Sequence, residues 1–105
     1  MEHRARKRFG QNFLTDEALI RRIVDTIRPV AGDLIIEIGP GQAAISQPLS
    51  ESDAELHLLE IDRDLAARLK TRFEPDGLAC VHQGDALKMD FSDIVGKRPF
   101  RLVGN

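Results

Sequence analysis

The residues best equipped for chemistry cluster around one turn. The stretch Leu34–Ser46, LIIEIGPGQAAIS, runs from an apolar strand-like segment into Gly39, Pro40 and Gly41, with a carboxylate, Glu37, two residues before the first glycine. A turn of this kind can hold the phosphates of a dinucleotide, hold the methionyl end of S-adenosylmethionine, or simply link a strand to a helix. Gly39, Gly41 and Ala44 satisfy the loose G-x-G-x-x-G/A pattern, and Glu60 follows about 20 residues on, where a ribose-binding acid belongs. Two features oppose a pyrophosphate: Pro40 has no N–H to offer, and Glu37 brings negative charge where a phosphate would lie. The same carboxylate suits an ammonium or sulfonium group. No P-loop follows, because GKS and GKT are absent.

Two further acids sharpen the choice. Glu60 closes the apolar run ELHLLEI, where a carboxylate can accept from both hydroxyls of a ribose, and Asp85 in QGDAL is placed to accept from an adenine amino group. Together they describe an adenosine pocket without phosphate, which points to S-adenosylmethionine. Plainer roles exist for each acid: Glu60 as a rim carboxylate, Asp62 and Asp64 as helix-start residues, Asp85 as the stabiliser of its own turn.

The elements that must position these groups follow from hydrophobic period. Thr15 is placed to cap a helix, with Asp16 and Glu17 at its positive end, and Leu19, Ile20, Ile23, Val24 and Ile27 recur on one face until Pro29 and Gly32. LIIEI reads as a buried strand, and ELHLLEI, LACVH and FRLVGN as three more. Residues 42–50 read as a helix that Pro48 forces to start late or kink. Asp62–Phe73 reads as a helix with Leu65, Ala66, Leu69 and Phe73 inward. QGDALKMDFSDIV reads as a loop with one short helical turn. Alternating helices and strands imply parallel strands with right-handed crossovers, the first half of a doubly wound, mainly parallel α/β sheet. The glycine turn, Glu60–Asp62, GDAL and Asn105 then share the carboxyl-end rim where such sheets bind ligands.

The bulk composition fits a soluble domain of 105 residues, 42% apolar and 30% charged. The overall charge of −2 conceals a basic arm: residues 1–8 carry four Lys/Arg against one acid, while the other 97 residues carry 11 basic and 16 acidic groups. Such an arm can contact nucleic-acid phosphates through Arg4, Arg6, Lys7 and Arg8. The single cysteine, Cys80, excludes an internal disulfide, fits a reducing cytoplasm, and reads as a small buried hydrophobe within LACVH. His3, His57 and His82 match no metal-ligand spacing, so no metal is expected. No apolar stretch is long enough to span a membrane.

RKRFGQNFL, EIGPGQAAIS, LLEIDRDLAARL, QGDAL and the terminal VGN occur here in that order. Together they resemble the amino-terminal part of the KsgA-type ribosomal RNA small-subunit adenine dimethyltransferases, within the rRNA adenine N(6)-methyltransferase family. The resemblance runs from about Arg6 to Asn105; RKRFGQNFL is its most specific element and the glycine turn its least. Antibiotic-resistance methyltransferases of the large-subunit RNA share QNFL and the turn, while RKRFG and GDAL favour the small-subunit enzymes. The resemblance implies the first half of a Rossmann-like class I S-adenosylmethionine-dependent methyltransferase domain. It implies dimethylation of two adjacent adenines in the 3′-terminal hairpin of small-subunit rRNA, within the immature 30S subunit, by an enzyme monomeric at full length. By position, Asn12 and Leu14 would border the methionine part of the cofactor, Gly39 would pack against it with its backbone exposed, and Glu60 would hold the ribose. Ile61 would lie on the adenine face, Asp85 would take the adenine amino group, and Asn105 would open an Asn–hydrophobe–Pro–aromatic motif that orients the attacking amine. The rest of that motif lies outside the 105 residues. On this reading residues 1–15 are a basic arm and cofactor-covering segment, and residues 16–105 are an incomplete methyltransferase domain, inactive and self-associating alone. The alternatives are an rRNA-binding assembly factor without catalysis and a nicotinamide (NAD)-dependent oxidoreductase half-domain, against which Pro40, Glu37 and RFGQNFL argue.

Overall fold

The computed structural model describes residues 16–104. Its first helix, α1 (Glu17–Ile27), is capped by Asp16, whose carboxylate accepts from the Leu19 N–H at 3.1 Å. The expected cap, Thr15, lies outside the described residues. Because Arg28 precedes Pro29, the right-handed helical region is disfavoured for it, and it leaves the helix in the left-handed conformation at φ 52. The chain then forms β1 (Leu34–Ile38), α2 (Ser46–Ser50), β2 (Glu55–Glu60), α3 (Arg63–Phe73), β3 (Cys80–Gln83), a 3-10 turn (Ala86–Lys88), α4 (Ser92–Val95) and β4 (Arg101–Gly104). All pairings are parallel and the order is β3-β2-β1-β4. The chain therefore steps outward from β1 to β3 and returns to the other side of β1, which places the topological switch between β1 and β4.

Pro48 acts as expected. Residues 41–45 form turns and the helix begins only at Ser46, so Pro48 sits in the first turn, where its missing N–H costs no helical bond. The long segment before β4 forms two short helical pieces where one was expected. The third strand begins at Cys80, two residues later than LACVH suggests.

Alternation along the strands divides the core in two. Ile35, Leu56, Leu58 and Val81 pack with Ile45 and Leu49 and with Ala66, Leu69 and Phe73 of α3; Leu65, expected inward too, is only half-buried. The apolar stripe of α1 adds Ile20, Ile23, Val24 and Ile27, half-buried, to the same face. Leu34, Ile36 and Leu59 pack on the other face with Val95, backed by Met89, Phe91 and Ile94. The second cover is thin over β2 and β3, and this overturns the expectation for Cys80. The residue is exposed, because in an edge strand only alternate side chains meet the helical layer, and there Val81 takes the buried place.

Candidate cofactor site at the carboxyl-end rim

The strand register brings Ile38 level with Leu59 and with Gly104, and Glu60 level with Gln83. The turn after β1, the end of β2 and the loop after β3 therefore share one rim. Gly39 and Gly41 take φ values of 69 and 58, and Ala43 takes 73, so the chain reverses through left-handed residues before α2 can start. A side chain on Gly39 would find no heavy atom within 4 Å, so the space beside it is open.

Three donors of this turn are directed into the protein. The Gly39 N–H donates to the Leu59 carbonyl at 2.9 Å, the Gly41 N–H to Glu60 Oε1 at 3.1 Å, and the Ala43 N–H to the Pro40 carbonyl at 2.8 Å. A phosphate cradle needs such groups pointing outward. With Pro40 contributing none, the turn is unsuited to a pyrophosphate, which argues against the nicotinamide alternative on structural grounds.

Glu60 is buried and holds the rim together. Its Oε1 accepts from Gly41 and its Oε2 from the Asp62 N–H at 2.9 Å, so one carboxylate ties the turn after β1 to the start of α3. Each oxygen keeps a second acceptor position, enough for two ligand hydroxyls. Asp62 itself caps α3, accepting from the Asp64 and Leu65 N–H groups at 2.9 Å each. Next to Glu60, Ile61 stands 62% exposed, an apolar plate fit for a flat ring. Its carbonyl is held by the Gln83 amide at 2.8 Å, while the Gly84 N–H bonds the Glu60 carbonyl at 3.0 Å. Asp85 caps the 3-10 turn through the Leu87 N–H at 2.9 Å, the turn-stabilising role open to it from sequence, and this bond leaves acceptor capacity on its carboxylate. Bare glycine backbone, an apolar plate and two carboxylates fit a nucleoside bearing hydroxyls and an amine rather than phosphates, and S-adenosylmethionine is such a ligand.

Two expectations need correction. Glu37 does not open onto this rim: it shares the α2-covered face of β1 with Ile35, is 0% exposed, and accepts from the Ser46 hydroxyl at 2.6 Å. Burial pushes its pKa up to about 7 against the lowering effect of the Ser46 bond. The histidines are not all scattered either. His57 and His82 stack with ring centroids 5.2 Å apart, and His57 Nδ1 lies 3.0 Å from His82 Nε2. Burial, then the neighbouring His57, hold His82 below its ordinary value; burial, then the charges of Glu74 and Glu55, raise the Cys80 thiol. No spacing rule along the chain reveals this pair, since 25 residues separate its members and only the β2–β3 register joins them. Asn12, Leu14 and Asn105, with Arg4, Arg6, Lys7 and Arg8, lie outside the described residues. No helix among the described residues is long and apolar enough to cross a membrane.

The family model described as Ribosomal RNA adenine dimethylase matches residues 2–105. The chain is 56% identical over 104 residues to the Ribosomal RNA small subunit methyltransferase A of Aromatoleum aromaticum, covering 99% of this chain and 38% of that protein. It is 54% identical over 104 residues to the protein of the same name from Neisseria meningitidis serogroup C, covering 39% of it. The chain thus spans under two fifths of the length of these relatives. Among solved structures, the 23S rRNA methyltransferase ErmE superposes with a TM-score of 0.74 at 28% identity, covering 88% of this chain and 36% of that one. A dimethyladenosine transferase from Plasmodium falciparum superposes with a TM-score of 0.70 at 22% identity, covering 86% and 32%, a likeness of fold.

Proposed function

Because the chain belongs to the ribosomal RNA adenine dimethylase family, we propose that it forms the cofactor-binding, amino-terminal part of an S-adenosylmethionine-dependent enzyme that dimethylates two adjacent adenines of small-subunit rRNA. The observation that carries this reading is the rim chemistry. The N–H groups of Gly39, Gly41 and Ala43 are turned inward, while Glu60 and Asp85 retain acceptor capacity. The substrate is the hairpin near the 3′ end of that RNA within the immature 30S subunit, and the enzyme works in the cytoplasm as a monomer.

S-adenosylmethionine supplies an electrophilic methyl group on a sulfonium centre. Glu60 accepts from the ribose hydroxyls, Ile61 covers one face of the adenine, and Asp85 accepts from its amino group. Gly39 would let the methionine part approach the backbone, and Asn12 and Leu14 are assigned to that part by the family resemblance alone. Asn105 accepts a hydrogen from the target amine, which turns the nitrogen lone pair towards the methyl group. Orientation and local electrostatics do most of the catalytic work. Arg4, Arg6, Lys7 and Arg8 contact RNA phosphates.

The test is radiolabelled methyl transfer to immature small subunits by the full-length protein and by its Asn105→Ala variant, with cofactor affinity measured in parallel. The wild type should transfer methyl groups to adenine, and the variant should lose most transfer while largely keeping cofactor binding. No transfer by the wild type, with RNA binding intact, would overturn the enzymatic reading in favour of an assembly factor. Normal turnover by Asn105→Ala would remove the role given to Asn105.

A further inference from the structure

Glu55 and His57 on β2, and Cys80 and His82 on β3, alternate with the core residues Leu56, Leu58 and Val81, so all four lie on the sheet face opposite α3. The register sets His57 level with Cys80 and Leu59 level with His82. One potential ligand atom from each of His57, Cys80 and His82 lies within 4.8 Å of the others. Tetrahedral coordination at Zn–N of about 2.0–2.1 Å and Zn–S of about 2.3 Å sets neighbouring ligand atoms about 3.3–3.7 Å apart. The 3.0 Å separating His57 Nδ1 from His82 Nε2 is a hydrogen-bond distance a little shorter than that span, so the two rings would part slightly to admit an ion.

The surroundings of His57 point the same way. Its other nitrogen, Nε2, lies 2.7 Å from Glu55 Oε2, and Arg98 holds the Glu55 carboxylate through contacts of 3.0 and 3.3 Å. A carboxylate beside Nε2 favours the tautomer with its proton there, which places the Nδ1 lone pair on the side of His82. Metal-bound histidines are oriented by carboxylates in this way. The cluster is separate from the cofactor rim: Glu60 lies three residues further along β2, with its side chain on the opposite face.

We propose that His57 Nδ1, Cys80 Sγ and His82 Nε2 form a binding site for a borderline-soft divalent cation of the zinc class, oriented by Glu55, with the fourth position open to water. Two imidazoles and one thiolate are a zinc-type donor set, and the ion would fasten the edge strand β3 to β2.

The experiment uses the full-length protein, stripped of metal by a chelator, titrated with zinc by calorimetry and with cobalt(II) by absorption spectroscopy. Expected are one equivalent of zinc bound at this site, a thiolate-to-cobalt charge-transfer band, a higher melting temperature with zinc, and protection of Cys80 from alkylation. Cys80 is exposed, so Cys80→Ser should fold; it should abolish the charge-transfer band and weaken zinc binding at least about tenfold. Glu55→Gln should weaken zinc binding about 10–100-fold, the scale for losing such an orienting group. A protein that binds no zinc, or binds cobalt without the thiolate band, overturns the proposal. Affinity unchanged in both Cys80→Ser and His82→Ala does the same, and reduces the His57–His82 contact to a hydrogen-bonded pair.

Discussion

The Ser46 hydroxyl donates to Glu37 Oε1 over 2.6 Å, joining the first turn of α2 to the middle of the sheet at a site where neither residue is exposed. A buried acid with a neutral hydroxyl partner is disfavoured in its charged form, and this raises Glu37 from its ordinary value of 4.5 to about 7.

Stability should therefore depend on pH through Glu37. A carboxyl that binds its proton more tightly when folded gives its full stabilisation below pH 4.5 and loses it as pH rises through about 7. The shift corresponds to roughly 3 kcal/mol. Glu37→Gln, which keeps a neutral acceptor for Ser46, should flatten the profile between those limits in urea denaturation at several pH values. A variant profile as steep as the wild type's would assign the dependence to another group.

The two acids at the end of β2 should separate by function. Glu60→Ala in the full-length protein should weaken S-adenosylmethionine binding by about 1–3 kcal/mol, the scale for hydrogen bonds to a charged acceptor. Asp62→Ala should act on folding, costing about 1 kcal/mol through loss of the α3 cap. Calorimetric affinity and melting temperature, read together, check the pair. Weaker cofactor binding in Asp62→Ala than in Glu60→Ala would shift the binding register by two residues.

Phe73, fully buried where α3 meets the sheet, should be the most costly residue of its helix to truncate. Phe73→Ala should lose about 3–5 kcal/mol, whereas Arg68→Ala on the exposed face should change stability by about 0.5 kcal/mol or less. Denaturant midpoints at equal slope decide this.

The isolated 105-residue chain should self-associate. Strand β4 stands at one edge of the sheet with Leu102 53% exposed, and a groove along Ile23, Ile27 and Val103 continues that apolar surface. An uncovered apolar edge is a template for another strand. Sedimentation velocity should show mass rising with concentration; a monomer throughout the range would show that the edge is already protected.

Much of this architecture was legible from neighbouring residues alone. LIIEI, ELHLLEI and the stripe of α3 announce themselves because strand and helix periods are properties of the local backbone. Pro48 delays α2 because a missing N–H acts at its own position, wherever the chain goes afterwards. Glu60 and Asp85 could be placed on one rim from topology, since parallel crossovers put every strand's carboxyl end on the same side.

Contacts between distant residues were decided otherwise. Whether Glu37 faces a ligand or the core depends on what covers its side of the sheet, and Ser46 with α2 covers it completely. Cys80 sits in an apolar run yet is exposed, because β3 is an edge strand whose second face has little above it. His57 and His82 meet only because β2 and β3 pair in one register; a slip of one residue would turn one partner to the opposite face. The sequence by itself determined the elements and the end of the sheet where chemistry can occur. The tertiary structure alone decided which side chains touch, because register and cover are set by packing between segments that carry no local signal of one another.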